Sequence, residues 1–116
     1  IMNIHKFVSI IKVRPGVCFG KNKIDSISDI GFFINGFLCA ETSFNQKDDF
    51  DMFFKNEFPK FVRKKFDVEP TEFEFWFETI EKNVNDNDAA IELFFKLFDD
   101  FYASYTKNYP LLINFD

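Results

Sequence analysis

Apolar residues, among which phenylalanine is the most frequent, recur at helical spacing along most of this sequence. The longest run forms one face of a helix over several turns, through Phe50, Phe53, Phe54, Phe58, Phe61, Val62 and Phe66. The chain has 116 residues, of which 20 are phenylalanine, and this length suits one domain. Because each buried phenylalanine contributes ~1.5–3 kcal/mol, these rings can drive folding without a metal or a disulfide. We therefore expect a single helical domain over residues 1–116, with Ile1, which precedes Met2, interpreted as a remnant of cloning.

The period of 3.6 residues predicts five helices, at residues 4–13, 26–41, 48–66, 72–84 and 88–107. Residues 14–23 are predicted to form a loop, because Arg14, Pro15 and Gly16 end the first helix. Short connections place consecutive helices antiparallel. The sequence therefore predicts an all-α fold, a compact antiparallel bundle of about five helices, with an apolar tail at 111–115 that docks on it.

Local signals make more specific predictions for the third and fourth helices. Thr71 and Glu74 form a capping box that starts the fourth helix, and Phe75 then lies off its buried face. Pro59 removes a backbone hydrogen bond, so we expect the third helix to be kinked or divided near residues 55–59.

Two glycines, Gly31 and Gly36, lie within the predicted second helix. Each lowers helix stability by ~1 kcal/mol relative to alanine. We therefore expect a neighbouring backbone or a bulky ring to approach closely at these positions.

The sequence holds no phosphate-binding or dinucleotide-binding motif and no arrangement typical of a catalytic site. Its one histidine, His5, lies on a basic turn that we expect to be exposed. Cys18 and Cys39 are expected to be reduced and mostly buried, although an even count leaves one disulfide open. A zinc site would need His5 and both cysteines, and no spacing suggests one. We therefore expect that the protein is not an enzyme and that it binds neither a metal ion nor a cofactor.

Hydropathy and charge narrow the class of partner. No apolar run approaches the ~18 residues of a membrane span, and the first residues lack the uninterrupted apolar region of a signal peptide. These features predict a cytoplasmic protein without a membrane partner. Residues 66–100 carry eleven acidic and two basic side chains, a net charge of −9, whereas residues 1–24 carry a net charge of +5.

The acidic segment has two interpretations. It would repel the phosphates of a nucleic acid and would suit a basic protein partner. Alternatively, it is a solvated surface that keeps the chain soluble. The basic residues at 1–24 are interpreted as a surface that pairs with the acidic half of the chain, rather than as a nucleic-acid site.

Several segments of the chain resemble a known family. The segment RPGVCFG at 14–20 is followed by FINGFLCA at 33–40, by an aromatic helix at 58–66, by a tryptophan-containing helix at 76–80, and by an alanine- and phenylalanine-rich helix at 90–101. In this order the segments resemble the immunity proteins of polymorphic toxin and contact-dependent growth inhibition systems. The departures are Val17 and Cys18, where Met-Tyr is common, and Pro59 inside the third helix.

The resemblance implies a cytosolic protein that binds the toxin domain of its own delivery system and neutralises it. Such toxins are often nucleases or other enzymes with basic substrate grooves, which the acidic segment would complement. The candidate contact residues are an apolar anchor and five acids that lie off the predicted buried stripes. They are Phe75, Glu78, Glu81, Glu92, Asp99 and Asp100.

Two alternatives remain open from the sequence. The chain could be an adaptor or regulatory protein-interaction domain with no toxin partner. It could also be an enzyme with an unrecognised site that uses His5 or a cysteine, which we rank last because no supporting arrangement accompanies these residues.

Overall fold

A computed structural model describes residues 2–69 and 74–109 of the protein. The described part of the chain contains six α-helices and no strand: α1 Ile4–Val13, α2 Gly16–Phe19, α3 Ile27–Ser43, α4 Asp49–Lys65, α5 Trp76–Asn83 and α6 Asn87–Asn108. The predicted all-α fold is confirmed, with six helices in place of five. The predicted tail at 111–115 lies outside the described residues. No helix within the described ranges is both long enough and apolar enough to cross a membrane.

The additional helix, α2, occupies a segment that the sequence analysis assigned to a loop. Pro15 adopts a helical conformation just before it, with φ −60°, and Gly20 closes it in the left-handed region at φ +69°. A proline at a helix start and a glycine just past its end are typical of a short helix. The proline therefore ends α1 and also starts α2, and only the first effect was anticipated.

The aromatic part of the core is built mainly from α4, α5 and α6, while α1 and α3 contribute mostly aliphatic side chains. In α4, Phe54 and Phe58 are buried and stack with their centroids 4.5 Å apart. Phe58 meets Trp76 of α5 edge-on at 5.0 Å, and Trp76 stacks on Phe94 of α6 at 5.2 Å. Offset and edge-to-face geometries of this kind are favourable beyond the apolar area that they bury. The expected division of the third helix is wrong, because α4 continues through Pro59 as one helix.

Helices α3 and α5 approach closely at Gly31. A Cβ atom at this position would lie 2.0 Å from Cδ1 of Phe77, so only glycine leaves room for that ring. The close approach predicted at Gly31 is confirmed. The same prediction is wrong for Gly36, where a Cβ atom would meet no described atom within 4 Å outside its own stretch of helix.

The start of α5 differs from the prediction. The helix begins at Trp76, with Phe75 as its N-cap, rather than at residue 72. Glu74 precedes the helix, and Thr71, the other half of the predicted capping box, lies outside the described residues. The shorter helix leaves Phe75 off the buried face, as the sequence predicts, and brings it beside α3.

Candidate partner-binding site

An exposed pair of aromatic rings bridges α3 and the start of α5. Phe75 is 48% exposed, and Phe32 of α3 is 61% exposed. Their ring centroids lie 6.2 Å apart in an edge-to-face arrangement. Both rings also pack on the buried ring of Phe77, which stacks on Phe75 at 5.2 Å and meets Phe32 edge-on at 5.0 Å. The pair is therefore open to solvent and held in place by the core.

Phe75 is the apolar anchor that the sequence predicts, whereas the exposed position of Phe32 was not anticipated. Phe32 lies between the buried residues Ile30 and Ile34 of α3, off the stripe that faces the core. Phase within the helical period is the signal that singles out Phe75, and the same signal could have found Phe32.

The two candidate carboxylates of α5 each accept a hydrogen bond. The half-buried Glu78 accepts from the backbone N–H of Phe75, with an N···O distance of 3.0 Å, and so satisfies a donor at the helix start. Glu81 accepts a hydrogen bond from the hydroxyl of Ser28 in α3. Glu78 therefore places a negative charge next to Phe75, while Glu81 links α5 to α3.

The other three candidate acids belong to a second local group, on α6. Glu92, Asp99 and Asp100 are exposed and border a shallow depression with Phe95 and Lys12 of α1. Lys12 Nζ lies 3.5 Å from Asp99 Oδ2 and 5.9 Å from the centroid of the Phe95 ring. Part of the charge on α6 is thus balanced by the basic first segment, as one interpretation of that segment predicts.

The residues considered for catalysis do not form a site. His5 lies half-buried in α1 and stacks on Tyr102 with centroids 3.8 Å apart, which corrects the expectation of an exposed position. Burial lowers the pKa of His5, and the nearby Asp99 opposes this effect. Cys18 is half-buried and Cys39 is exposed, so the prediction of mostly buried thiols is wrong for Cys39, while both thiols are free. Across the described ranges, no group of three or more His, Cys, Asp or Glu side chains could hold a metal ion.

The sequence analysis also misses a buried carboxyl group, that of Asp51 in α4, which is 0% exposed. Its Oδ1 accepts the backbone N–H of Ile4 at 2.9 Å and so ties α4 to the start of α1. Burial raises the pKa of Asp51 to about 8, the adjoining Glu41 carboxyl adds to the rise, and the Ile4 N–H opposes it. Asp51 precedes Phe54 and Phe58 by three and seven residues, so its helical phase already places it on the buried stripe.

Comparisons of this chain with protein-family models, with curated proteins and with solved structures find no match.

Proposed function

We propose that this protein is an immunity protein that binds a cognate toxin domain and blocks its active site or substrate groove. The toxin would be a nuclease or another enzyme with a basic groove. The observation that carries the proposal is the exposed Phe32–Phe75 pair, which the core fixes in place beside the carboxylate of Glu78. The resemblance of the sequence to immunity proteins supports the same assignment.

The aromatic pair has the properties of a binding anchor. Interface energy is concentrated in a few large side chains, often aromatic, that become fully desolvated in the complex. Because Phe32 and Phe75 already pack on Phe77, they lose little side-chain freedom when a partner covers them. Such preorganisation increases affinity, since less entropy is lost on binding.

The carboxylates would act mainly on recognition and on association rate. Glu78 lies at the aromatic pair, and Glu81 lies one turn further along α5. The acids of α6 form a separate group and add to the negative field that would attract a basic groove to the molecule. A partner groove built for phosphates would present the lysines and arginines that complement them.

The test is co-expression with the product of the adjacent upstream gene. We expect the wild-type chain to co-purify with that product and to restore the growth of cells that produce it. The double variant Phe32→Ala/Phe75→Ala should weaken the complex at least ~30-fold, the effect of losing about 2 kcal/mol from a single hot-spot residue. The matched control is Val17→Ala, which shortens another exposed apolar side chain, on α2, and should leave affinity unchanged.

Three outcomes would overturn the proposal. The first is an upstream product that is not toxic and forms no complex with the chain. The second is a complex that forms without protecting the cell, which would favour the adaptor alternative. The third is equal weakening by the double variant and by the Val17 control, with thermal unfolding used to confirm that both variants are folded.

A further inference from the structure

Helix α3 carries two apolar stripes, whereas a helix that packs on one core needs only one. The first stripe is buried in the core and contains Ile27, Ile30, Ile34 and Leu38. The second stripe runs beside it and contains Phe33, Phe37, Ala40 and Phe44. In the second stripe, Phe33 is 40% exposed, Phe44 is 76% exposed, Ala40 is exposed and Phe37 is half-buried. Apolar residues that alternate between spacings of four and three are the pattern with which one helix packs along another.

The second stripe is fixed by the fold and is separate from the proposed toxin site. Phe33 stacks on the buried ring of Phe7 in α1, with centroids 4.3 Å apart. The other three residues of the stripe line an open cleft of about 600 Å³ where α3 meets the start of α4. Phe32, by contrast, packs on Phe77 of α5. The stripe and the Phe32–Phe75 pair therefore lie on different flanks of α3.

The charges around the second stripe fit an antiparallel copy of the same helix. Helix α3 carries no charged side chain between Asp29, in its first turn, and Glu41. At its C-terminal end, the half-buried Glu41 and Asp48 each bond to Asp51. Among the residues that line the cleft, Lys47 thus supplies the exposed charge. Since an antiparallel arrangement brings the Lys47 end of each copy to the exposed Asp29 of the other, opposite charges meet at both ends.

The stripe also matches itself in size under this symmetry. If the two-fold axis passes between Phe37 and Ala40, each Phe37 ring lies over the small Ala40 of the other copy. Phe33 of each copy then lies opposite Phe44 of the other. Each contact occurs twice, as an interface between identical surfaces requires, and a large side chain meets a small one near the axis, which lets the helices interdigitate.

The exposed area suits a weak dimer. At about 200 Å² per ring, the exposed fractions of Phe33 and Phe44 amount to roughly 230 Å². A weak interface buries up to about 600 Å² on each partner, so these two rings supply more than a third of that area. We therefore expect association that depends on concentration.

We propose that this protein forms a weak antiparallel dimer through the second stripe of α3, so that the occupant of this surface is a second copy of the chain. The dimer leaves the Phe32–Phe75 pair outside the stripe. It goes beyond the proposed function and is tested on the chain alone.

The experiment is sedimentation equilibrium of the full chain at concentrations from ~10 μM to ~1 mM, the range of weak association. The average mass should rise from 13.8 kDa towards twice that value. Ala40→Lys places two like charges near the two-fold axis and should weaken the dimer at least about tenfold. The matched control is Ala103→Lys, the same change at an exposed alanine of α6, which should alter the dissociation constant less than about twofold.

Exchange of the end charges tests the antiparallel direction. Asp29→Lys and Lys47→Glu should each weaken the dimer about threefold, because each brings like charges together at both ends. The double variant Asp29→Lys/Lys47→Glu restores opposite charges, so its dissociation constant should return to within about twofold of the wild type. Thermal unfolding of every variant confirms that it is folded.

A chain that stays monomeric over the whole concentration range would overturn the dimer, and so would equal weakening by Ala40→Lys and Ala103→Lys. A double charge variant weaker than both single variants would show that the helices do not lie antiparallel. If the chain is monomeric and Ala40→Lys weakens the toxin complex, the stripe belongs to the toxin interface instead. The Phe32→Ala/Phe75→Ala variant should dimerise like the wild type, so each proposal can fail alone.

Discussion

Helix α3 meets its neighbours in two different ways along its length. At Gly31, the ring of Phe77 occupies the space of a side chain, and a Cβ atom there would lie 2.0 Å from it. Ten residues later, Glu41 borders an open cleft, and its carboxyl group adjoins the buried carboxyl of Asp51, whose pKa is raised by burial and by a hydrogen bond with Glu41. One end of the helix is closely packed, and the other leaves a cleft open beside a buried carboxyl pair.

The difference separates a contact that is sensitive to volume from a contact that is sensitive to pH. A closely packed contact responds strongly to any change of volume, so the Gly31 end fixes α5 and the rings beside it. A buried carboxyl pair is costly to ionise, so the Glu41 end makes the free energy of unfolding depend on pH. Changes of pH and substitutions therefore test the two ends separately.

The largest effect is expected at the open end, in the pH dependence of stability. The folded state raises the pKa of Asp51 from 3.8 to about 8, so between these values the folded chain holds a proton that the unfolded chain has lost. The free energy of unfolding should therefore fall as the pH rises from about 4 to about 8. Each pKa unit corresponds to about 1.4 kcal/mol, so the fall should reach several kcal/mol, measured by urea unfolding across this range.

Two variants test whether Asp51 causes this pH dependence of the free energy of unfolding. Asp51→Asn keeps an acceptor for the Ile4 N–H and does not titrate, so most of the slope should disappear and the variant should exceed the wild type in stability at pH 9. Asp49→Asn removes a carboxyl group from an exposed position of α4, so this variant should retain the fall in stability between pH 4 and pH 8. If the wild type shows no fall in stability, the carboxyl of Asp51 ionises at no cost, and the contrast between the two ends of α3 does not hold.

At the packed end, Gly31→Ala should reduce the free energy of unfolding by about 1–3 kcal/mol, the usual cost of overpacking. The added methyl group would overlap Phe77, so either the ring or the whole of α5 must move. Chemical denaturation gives the magnitude. Phe77 also supports Phe32 and Phe75, so the same variant should weaken binding of the proposed toxin.

Gly36 provides the control within the same helix. Apart from its own stretch of helix, no described atom lies within 4 Å of a Cβ atom at this position, so Gly36→Ala should stabilise the protein by about 0.5–1 kcal/mol through helix propensity alone. If the free energy of unfolding falls in Gly31→Ala and rises in Gly36→Ala, close packing is confined to the Gly31 end. Equal losses of unfolding free energy in the two variants would show that α3 is closely packed at both glycines.

The fold could be predicted from the sequence where one helical face is continuously apolar. The stripe from Phe50 to Val62 correctly identified the buried face of α4. The prediction was wrong where one residue has two effects, as Pro15 does between α1 and α2. It was also wrong at Gly36, because helical phase indicates which face is buried but not how close the neighbouring helix comes.

The candidate site was predictable only in part, for a related reason. Phase identified Phe75 as exposed, yet its partner Phe32 comes from a helix about forty residues earlier, and their contact depends on how α5 packs at Gly31. The adjoining carboxyl groups of Glu41 and Asp51 likewise come from two helices that meet in the fold. A single helical period contains no information about either contact.

The smallest effect concerns Glu78, at the packed end. Its carboxylate accepts the Phe75 N–H at 3.0 Å, so Glu78→Ala should lower the free energy of unfolding by about 1 kcal/mol, as loss of a capping interaction does. Glu92→Ala, which removes an exposed acid from α6, should change stability by less than ~0.5 kcal/mol. Thermal unfolding of the two variants distinguishes these values. Equal stability of both would mean that Glu78 does not hold the start of α5, and that Phe75 is placed by its stacking on Phe77 alone.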